Sequence, residues 1–511
     1  MKNFFLLLLT TGLTTACAAQ AGVLDSSFSQ DGLQNTILSP GNDQIYSLAL
    51  LPNGDIAAAG RTMKTSNVDF ATLFYRPDGS LATQVITDFG KTDDIPCKAL
   101  LQNDGKIVVA GYSNNKESSI YKFVLARYRN TGLVDSSFGI AGKVTVNFNA
   151  YLTDKAFAAT LQGDGKIILA GDSESGQGFH FAMARFNPDG SLDADFGTMG
   201  FVTTPIKVRS AIRSIALRPD GYILVSGVVH SNSSYTLALA RYLPDGSPDP
   251  AFGDNGIVST GLPVKEPDPQ TLLLLPDGAI LWAGTSGNDF ALARFDANGA
   301  PDLSLGSGGQ LFTTFGAGSA DRCAAAIIQP DGKIVCAGST DSGGNAAYGL
   351  MRFNPDGTPD SIFGNAGQIV TPVLGKNDFV NSLALQSDGK LLAAGGSDGG
   401  GTGTDFSLAR YHTGLAVSLH QPEAALEDLR LFPNPAGQAT TLSYRLLRAE
   451  KVTIRLWTSD GICLRTIFSE QRRNAGGHSE QLRLGQQLLP GVYRLSIEAG
   501  GSVRQIPLVH L

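Results

Sequence analysis

The stretch Ala99–Gly111, ALLQNDGKIVVAG, decides the fold. An apolar run, a polar Asn-Asp-Gly corner and a second apolar run ending in glycine are typical of a β-hairpin. The turn glycine recurs along the chain with a period of about 56 residues, at Gly54, Gly105, Gly165, Gly221, Gly278, Gly332 and Gly389. Self-similarity at a fixed period predicts a repeat architecture.

Each repeat contains four strand-like segments. In the third repeat they are Lys143–Phe148, Ala156–Leu161, Lys166–Ala170 and Phe181–Phe186, followed by a turn at Asn187–Gly190. Four short strands per repeat are typical of a propeller blade. The Thr-rich first segment is the most polar and is predicted to be outermost, whereas the apolar hairpin strands pack between blades.

We therefore expect an all-β chain with a seven-bladed β-propeller over residues 22–414. A blade then begins at the hairpin and ends with the opening strand of the next repeat. The segment Gly32–Ile37 is predicted to supply the outer strand of the seventh blade, which closes the ring and leaves no open edge.

An arginine ends the fourth segment of six repeats, and an aspartate follows five of them eight residues later. The local pairs are Arg127–Asp135, Arg185–Asp193, Arg241–Asp249, Arg294–Asp302 and Arg352–Asp360. In the first repeat Phe74 and Ala82 occupy the two positions. Ring closure would bring the unmatched Arg410 and Asp25 together. Because the charges recur, we predict ion pairs of the scaffold rather than ligand sites.

A second carboxylate recurs where five of the seven hairpins begin, at Asp43, Asp94, Asp154, Asp321 and Asp378; the fourth blade has Ser210 there, and the fifth has Pro267 with Asp268 beside it. A ring of these groups at a channel mouth could hold Ca²⁺ or a cationic ligand. In the alternative, each carboxylate caps the backbone amides of its own loop. No other cofactor or metal is expected, and no catalytic residue is assigned. The six histidines lack metal-ligand spacing, and no nucleophile elbow or phosphate-binding loop occurs.

Residues 1–21 are predicted to be a signal peptide, with Lys2, the apolar run Phe4–Leu9 and a small-x-small site at Ala19–Ala21. Lipid attachment at Cys17 is the weaker alternative. No other stretch is apolar enough to span a bilayer. Cys97, Cys323, Cys336 and Cys463 are expected to be unpaired, because Cys336 should face Ile327 across its hairpin rather than Cys323.

The charge changes sign near the carboxyl end. Residues 428–511 carry 11 basic and 6 acidic side chains, a net charge of +5, whereas the rest of the chain carries 28 and 40, a net charge of −12. This change predicts a domain boundary. We expect a linker at 415–427 and a small β-sandwich at 428–511. The overall charge of −7 argues against nucleic-acid binding.

Two resemblances add to this reading. The pattern LDSSFG–AGKV, DKAFAATLQGDGKIILAG and FAMARFNPDG in Leu133–Gly190 resembles the delta-60 repeat family of exported bacterial proteins. That resemblance implies a β-propeller without a defined activity. FPNPA, LWTSDGICLRTI and LPGVYRLSIEAGG within residues 428–511 resemble the type IX secretion sorting domain. This second resemblance implies a Gram-negative bacterium, passage through the periplasm, the type IX machinery as partner, and a secreted or cell-surface product.

Two classes of function fit these features. The segments Arg61–Asp69, Tyr112–Lys122, Asp172–His180, Val228–Tyr235 and Thr285–Asp289 differ from blade to blade and should share one face of the disc. Varied loops on a repeated scaffold favour a non-catalytic binding or adhesion module for a glycan or protein ligand, and we expect a monomer. The alternative is a secreted carbohydrate-active enzyme, a glycosidase or lyase, which would need converging carboxylates.

Overall fold

The computed structural model describes residues 20–510, apart from 64–66, 91–92, 116–119, 150–151, 232–233, 267, 400, 402, 416–425, 459–462, 484–487, 489–490 and 500–501. Most of the predicted signal peptide and linker therefore lie outside the described residues. The chain divides into two compact units between residues 416 and 417.

In the first unit, the described strands form five four-stranded antiparallel sheets and one eight-stranded sheet, in which a parallel bridge between Phe179 and Arg209 joins two antiparallel sets of four. We call the four-stranded sets blades 1 to 7. Strand β1 (Leu33–Thr36) comes first in the chain and belongs to blade 7. Blade 1 contains β2 (Gln44–Leu50), β3 (Ile56–Thr62), β4 (Asp69–Tyr75) and β5 (Leu81–Thr87). Blade 2 contains β6 (Asp94–Leu101), β7 (Ile107–Asn115), β8 (Ile120–Tyr128) and β9 (Lys143–Val146). Blade 3 contains β10 (Asp154–Leu161), β11 (Ile167–Glu174), β12 (Phe179–Phe186) and β13 (Phe201–Thr204).

Blade 4 contains β14 (Arg209–Leu217), β15 (Ile223–Ser231), β16 (Ser234–Tyr242) and β17 (Ile257–Pro263). Blade 5 contains β18 (Thr271–Leu274), β19 (Ile280–Ser286), β20 (Asp289–Phe295) and β21 (Gln310–Thr313). Blade 6 contains β22 (Arg322–Ile328), β23 (Ile334–Thr340), β24 (Ala347–Phe353) and β25 (Gln368–Thr371). Blade 7 contains β26 (Phe379–Leu385), β27 (Lys390–Ser397) and β28 (Asp405–His412), together with β1.

Blade 7 is completed from both ends of the propeller sequence. Strand β1 pairs antiparallel with β28, with Leu33 opposite Ala409 and Thr36 opposite Phe406. The apolar core continues across this junction, because Ile45 and Leu73 of blade 1 pack in one cluster with Leu408 of blade 7. Each buried cluster of the propeller likewise combines neighbouring blades, so that no blade has a core of its own. The predicted strand exchange at the ring junction is thus confirmed.

Six of the seven innermost strands carry a β-bulge at the same place. The extra residue is the third after the recurring aspartate position; in blade 3 it is Phe157, between the paired Ala156 and Ala158. A glycine of the second strand lies opposite each bulge. A Cβ on Gly171 would lie 1.8 Å from the carbonyl oxygen of Lys155, and one on Gly338 would lie 1.6 Å from that of Arg322. Glycine is therefore required where the bulged backbone approaches its partner.

The hairpin turns explain one wrong register prediction. Gln329 donates its amide to the carbonyl of Lys333 at 2.8 Å, so the turn of blade 6 holds three residues between that pair instead of two. Cys336 consequently lies opposite Ala326 and not Ile327.

Cys97, Cys323 and Cys336 are free thiols, and contact with the Cys323 thiol together with burial raises the pKa of Cys336. The side chain of Cys463 lies outside the described residues.

The second unit is a small sandwich. It contains β29 (Leu426–Phe432), β30 (Ala439–Leu446), β31 (Glu450–Thr458), β32 (Cys463–Arg473), β33 (Gly476–Arg483), β34 (Gly491–Ala499) and β35 (Ser502–His510). One sheet has the order β29-β30-β33 and the other β32-β31-β34-β35. Leu442 and Tyr444 of the first sheet share one core with Ile454 and Leu495 of the second. In the described part of the chain no helix is long and apolar enough to cross a membrane.

Candidate functional site: the propeller channel

The innermost strands surround a cavity of about 730 Å³. One residue from each blade lines it at the same level, and in six blades this is the bulged residue described above. We call these seven residues the bulge ring: Tyr46, Cys97, Phe157, Arg213, Gln270, Ala324 and Asn381. A bulge redirects a side chain out of the regular alternation of a strand. In this fold it directs one side chain from each blade into the channel.

The bulge ring varies where its surroundings repeat. The residue before each ring member is apolar in every blade and, except for the half-buried Pro269 of blade 5, is buried, as with Ala156 and Ile212. The ring members themselves include a phenol, a phenyl ring, a thiol, a guanidinium and two amides. The blades therefore share the apolar residue before the bulge ring, whereas the side chains of the bulge ring differ in chemistry from blade to blade.

Charged side chains meet around Arg213. Its Nη2 donates to Glu266 Oε1, and its guanidinium carbon lies 3.9 Å from the centre of the Phe157 ring. Arg322 is placed similarly, with Nε 3.0 Å from Asp268 Oδ1 and Nη1 3.4 Å from Asn381 Oδ1. These pairs hold two cations at the wall of the channel, where removal from water strengthens their interaction with an incoming anion.

Aromatic rings lie beside these charges. Tyr112 of blade 2 contacts Phe157 of blade 3 edge to face, with 5.7 Å between ring centres, and Tyr121 in the same way at 5.6 Å. The ammonium of Lys155 lies 4.1 Å from the centre of the Tyr121 ring. Aromatic faces next to fixed cations are typical of sites that bind cyclic organic ligands.

Asp172 occupies in blade 3 the position that Tyr112 has in blade 2, one residue after the glycine opposite the bulge. It is only 7% exposed, and among the described residues its Oδ1 has no hydrogen-bond partner. Burial raises the pKa of Asp172 to about 7, although the charges of Arg213, Lys155 and Arg209 act in the opposite direction. Burial likewise raises the pKa of Glu266, against the attraction of Arg213. Both carboxyl groups therefore hold their protons to higher pH than exposed ones.

Asp172→Asn is expected to reduce the loss of stability that occurs as the pH rises from about 4 to 7. The folded pKa of Asp172 lies above the unfolded one, so the folded state binds the proton more tightly within this window and loses stability as the pH increases. Removing the titration should recover up to about 4 kcal/mol at pH 7 relative to pH 4. Urea unfolding at several pH values measures the slope. Asp164→Asn, at an exposed turn position of the same blade, is the matched control; equal slopes in all three proteins would contradict the expectation.

Of the five recurring carboxylates, Asp378 is among the residues that line the cavity, whereas Asp43, Asp94, Asp154 and Asp321 are not. Each is buried and accepts a hydrogen bond from an amide of its own preceding loop. The donors are Ser39 for Asp43 (2.8 Å), Phe89 for Asp94 (2.8 Å), Phe148 for Asp154 (2.8 Å), Phe315 for Asp321 (2.9 Å) and Val373 for Asp378 (2.7 Å). These contacts are the ones that the loop-capping alternative predicts. Burial raises the pKa of Asp154 to about 6.

One group of three carboxylates in the described part of the chain could hold a metal ion: Asp69, Asp88 and Asp94, whose nearest oxygens lie within 4.8 Å of one another. Asp88 accepts the amide of Gly90 at 2.6 Å, and Asp94 accepts that of Phe89. Nothing else in the structure points to a cation there, so we assign no Ca²⁺ to this group.

The arginines and aspartates that recur eight residues apart lie together in all six cases. The distance from arginine Nε to aspartate Oδ2 is 2.6–2.9 Å for Arg127–Asp135, Arg185–Asp193, Arg241–Asp249, Arg294–Asp302, Arg352–Asp360 and Arg410–Asp25. In five of them, Nη1 also donates to a turn carbonyl of the following blade, as Arg185 does to Pro244 at 2.6 Å. Five of the six arginines therefore join two blades, and all of these residues lie apart from the channel lining.

Sequence reasoning missed the bulge ring and the charges around it. The prediction of variable segments included Tyr112 and Asp172 as first residues, but it treated them as loop tips when they lie in strands β7 and β11. A usable signal was present. Three residues after each recurring aspartate position, one residue changes its chemistry from blade to blade, whereas the residue before it is always apolar.

The comparisons with known proteins agree with this architecture. The family model described as "Domain of unknown function (DUF5122) beta-propeller" matches residues 102–138, 162–196, 218–252, 275–305, 329–363 and 386–415. A model for the WD domain, G-beta repeat, matches residues 368–400. The chain thus carries DUF5122 β-propeller repeats. A search of curated protein sequences found no match.

Solved structures resemble the chain only distantly. PorZ, a surface component of the type IX secretion system of Porphyromonas gingivalis, is 12% identical with a TM-score of 0.41; the match covers 93% of this chain and 60% of PorZ. The polysaccharide lyase Uly1 is 12% identical with a TM-score of 0.43, covering 77% of this chain and 98% of Uly1. The propeller domain of the Trilobed protease from Pyrococcus furiosus is 9% identical with a TM-score of 0.37, over 72% and 93% of the two chains. Likenesses this distant say nothing of activity.

Proposed function

We propose that this protein is an exported, non-catalytic binding protein whose ligand enters the propeller channel and contacts the bulge ring. The observation that carries the proposal is the contrast between repeated scaffold positions and the seven dissimilar bulge residues. A purely structural channel would need only small or apolar side chains at this level. Instead Arg213, Gln270 and Asn381 place polar groups there, beside Tyr46 and Phe157.

The experiment obstructs the channel without changing the scaffold. Ala324 is the smallest member of the bulge ring, and blade 1 has a tyrosine at the equivalent position. Ala324→Tyr should therefore fold normally but fill part of the cavity. A screen of glycans and small molecules by thermal shift and calorimetry should yield a compound that binds the unmodified protein, binds Ala324→Ser equally, and binds Ala324→Tyr at least about tenfold more weakly.

Two results would refute this assignment. If the compound binds Ala324→Tyr with full affinity, the ligand lies outside the channel. If no compound in the screen stabilises the protein, the channel is not a small-ligand site. Trp282 offers an additional optical readout, because its Nε1 donates to Oε1 of the ring residue Gln270 at 3.1 Å.

A second candidate is a secreted carbohydrate-active enzyme. Asp172 and Glu266 favour it, because both have raised pKa values and both interact with Arg213, and enzymes use such carboxyl groups as general acids. Turnover of a polysaccharide that Asp172→Asn abolishes would favour the enzyme. Binding without product formation would favour the binding protein.

Export is the further part of the proposal. Residues 1–21 would direct the chain to the periplasm, and residues 428–511 would engage the type IX machinery for passage to the surface or the medium. The FPNPA motif supports a recognition role at the chain end, since Asn434 Nδ2 donates to Pro507 O at 2.8 Å and Ala436 N donates to Val509 O at 2.8 Å. In a bacterium with this machinery, loss of residues 428–511 should retain the propeller in the periplasm; secretion of the truncated chain would contradict the assignment.

A further inference from the structure

One level below the bulge ring, the channel holds a single long side chain. The residue that follows each ring member is Ser47, Lys98, Ala158, Ser214, Thr271, Ala325 or Ser382. Six of these are small, and they let the innermost strands approach one another. Ser382 Oγ accepts the amide of Leu48 at 3.1 Å, and Ser214 Oγ accepts that of Leu272 at 3.0 Å, each across a blade boundary.

Lys98 does not make a contact of that kind. It lines the cavity and is the exposed member of the seven, whereas its counterparts are buried or half-buried. The protein around the channel displaces part of the water near its ammonium group, and this partial desolvation lowers the pKa of Lys98. Such a group gains stability from an anion brought to it.

The other two lining cations already have acidic partners. Arg213 pairs with Glu266, and Arg322 pairs with Asp268. The lining carboxylate Asp378 accepts hydrogen bonds from its own loop and from Ser397. Among the described residues, no carboxylate oxygen is paired with Lys98 within 4.0 Å. Lys98 is thus the lining cation that the protein leaves for an external partner.

We infer that Lys98 binds the anionic group of a small cyclic ligand whose ring packs against Tyr46 and Phe157. This inference rests on the proposed function and adds the chemical class of the ligand: a ring compound with one carboxylate or phosphate group. The cavity of about 730 Å³ lies within the usual range for small-molecule sites. The residues before 428 carry a net charge of −12, so the sequence offers no general attraction for anions, and anion binding would depend on a local group such as Lys98.

Three sugars that differ only at C6 provide the test. Glucuronate and glucose 6-phosphate carry the two candidate anions, and glucose carries neither. By calorimetry with the full chain, both anions should bind, glucose should bind at least about tenfold more weakly, and Lys98→Ser should lose about ten- to hundredfold in affinity for the anions. A higher affinity for glucuronate would identify the anionic group of the ligand as a carboxylate, and a higher affinity for glucose 6-phosphate would identify it as a phosphate.

The variants are chosen so that folding does not obscure the result. Serine is the residue that three other blades have at this position, so Lys98→Ser should retain the thermal stability of the unmodified protein. Lys376→Ser, at an exposed position in the loop before β26, is the matched control and should bind normally. Lys98→Met, which keeps the length of the side chain, separates loss of charge from loss of volume.

The outcomes distinguish the two levels of the proposal. If glucose binds as tightly as glucuronate, or if Lys98→Ser leaves affinity unchanged, the anion assignment is wrong while the channel remains a ligand site. The same holds if all three sugars fail and a neutral compound binds in the channel. If no compound depends on an open channel at Ala324, the proposed function itself fails.

Discussion

Arg410→Met is expected to lower the free energy of unfolding of the propeller by about 3–5 kcal/mol. Nε of Arg410 lies 2.7 Å from Asp25 Oδ2, and Nη1 donates to the carbonyl of Pro77 at 2.5 Å. The guanidinium also lies 4.6 Å from the centre of the Phe28 ring. One side chain thus joins the amino-terminal segment, the last propeller strand and blade 1. Its removal would take from Asp25, which is 3% exposed, the shorter of its two cation contacts and leave Lys390 Nζ at 3.0 Å as the other.

Two further variants test whether the loss of stability comes from the Arg410–Asp25 pair and from its position at the ring junction. In Arg410→Met with Asp25→Asn, the buried carboxylate that has lost its arginine is absent, so part of the lost stability should return, less the contribution of the Lys390–Asp25 pair (3.0 Å). Arg241→Met removes the equivalent pair within the ring, where no chain end is involved. Hydrogen exchange should therefore accelerate in β1 for Arg410→Met but not for Arg241→Met. An unchanged melting temperature in Arg410→Met would show that the ring closes without this contact.

Gly338→Ala is expected to destabilise blade 6 by about 3 kcal/mol or more. The added Cβ would lie 1.6 Å from the carbonyl oxygen of Arg322 and 3.1 Å from Cα of Cys323. Both contacts are with backbone, so relief requires the bulge to flatten. Flattening would return Ala324 to the regular alternation of its strand and take it out of the channel. The variant should therefore lose ligand affinity as well as stability.

Gly343→Ala is the matched control within the same blade. A Cβ there meets nothing within 4 Å, and the residue does not have a positive φ. Its thermal unfolding should coincide with that of the unmodified protein. If Gly338→Ala unfolds at the same temperature as the control, the bulge is not held by the glycine, and the explanation for the repeated glycine is wrong.

Most of the fold could be predicted from the sequence because the sequence repeats. The period of the turn glycines predicted the four-stranded units, and the unmatched Arg410 and Asp25 pointed to the junction where the structure places them 2.7 Å apart. These features could be predicted because the repeats share the same turn residues and, with few exceptions, the same charged positions. The residue opposite Cys336 could not be predicted in this way. It depends on whether the hairpin turn encloses two or three residues, and both turn lengths are compatible with Asp331-Gly332.

The site was harder to predict because its residues have no common chemistry. Asp43, Asp94, Asp154, Asp321 and Asp378 attracted attention by recurring, yet recurrence reflects a shared backbone task, which is to hold a loop. Tyr46, Arg213 and Asn381 were overlooked because they do not recur. Alternation along a regular strand would also have directed them elsewhere, since the bulge that turns them into the channel changes the register by one residue.

The bulge ring has a consequence for how such a protein diversifies after duplication of its repeats. Copies of a blade are constrained to remain alike at the glycine, the apolar neighbours and the arginine, because each of these contacts backbone or an adjacent copy. The residues of the bulge ring line the channel, so under the proposed function a substitution at one of them changes one group of the ligand-binding surface. Selection can then act on seven separate codons, one per copy, and a family of propellers can acquire new ligands by point mutation while its framework is conserved.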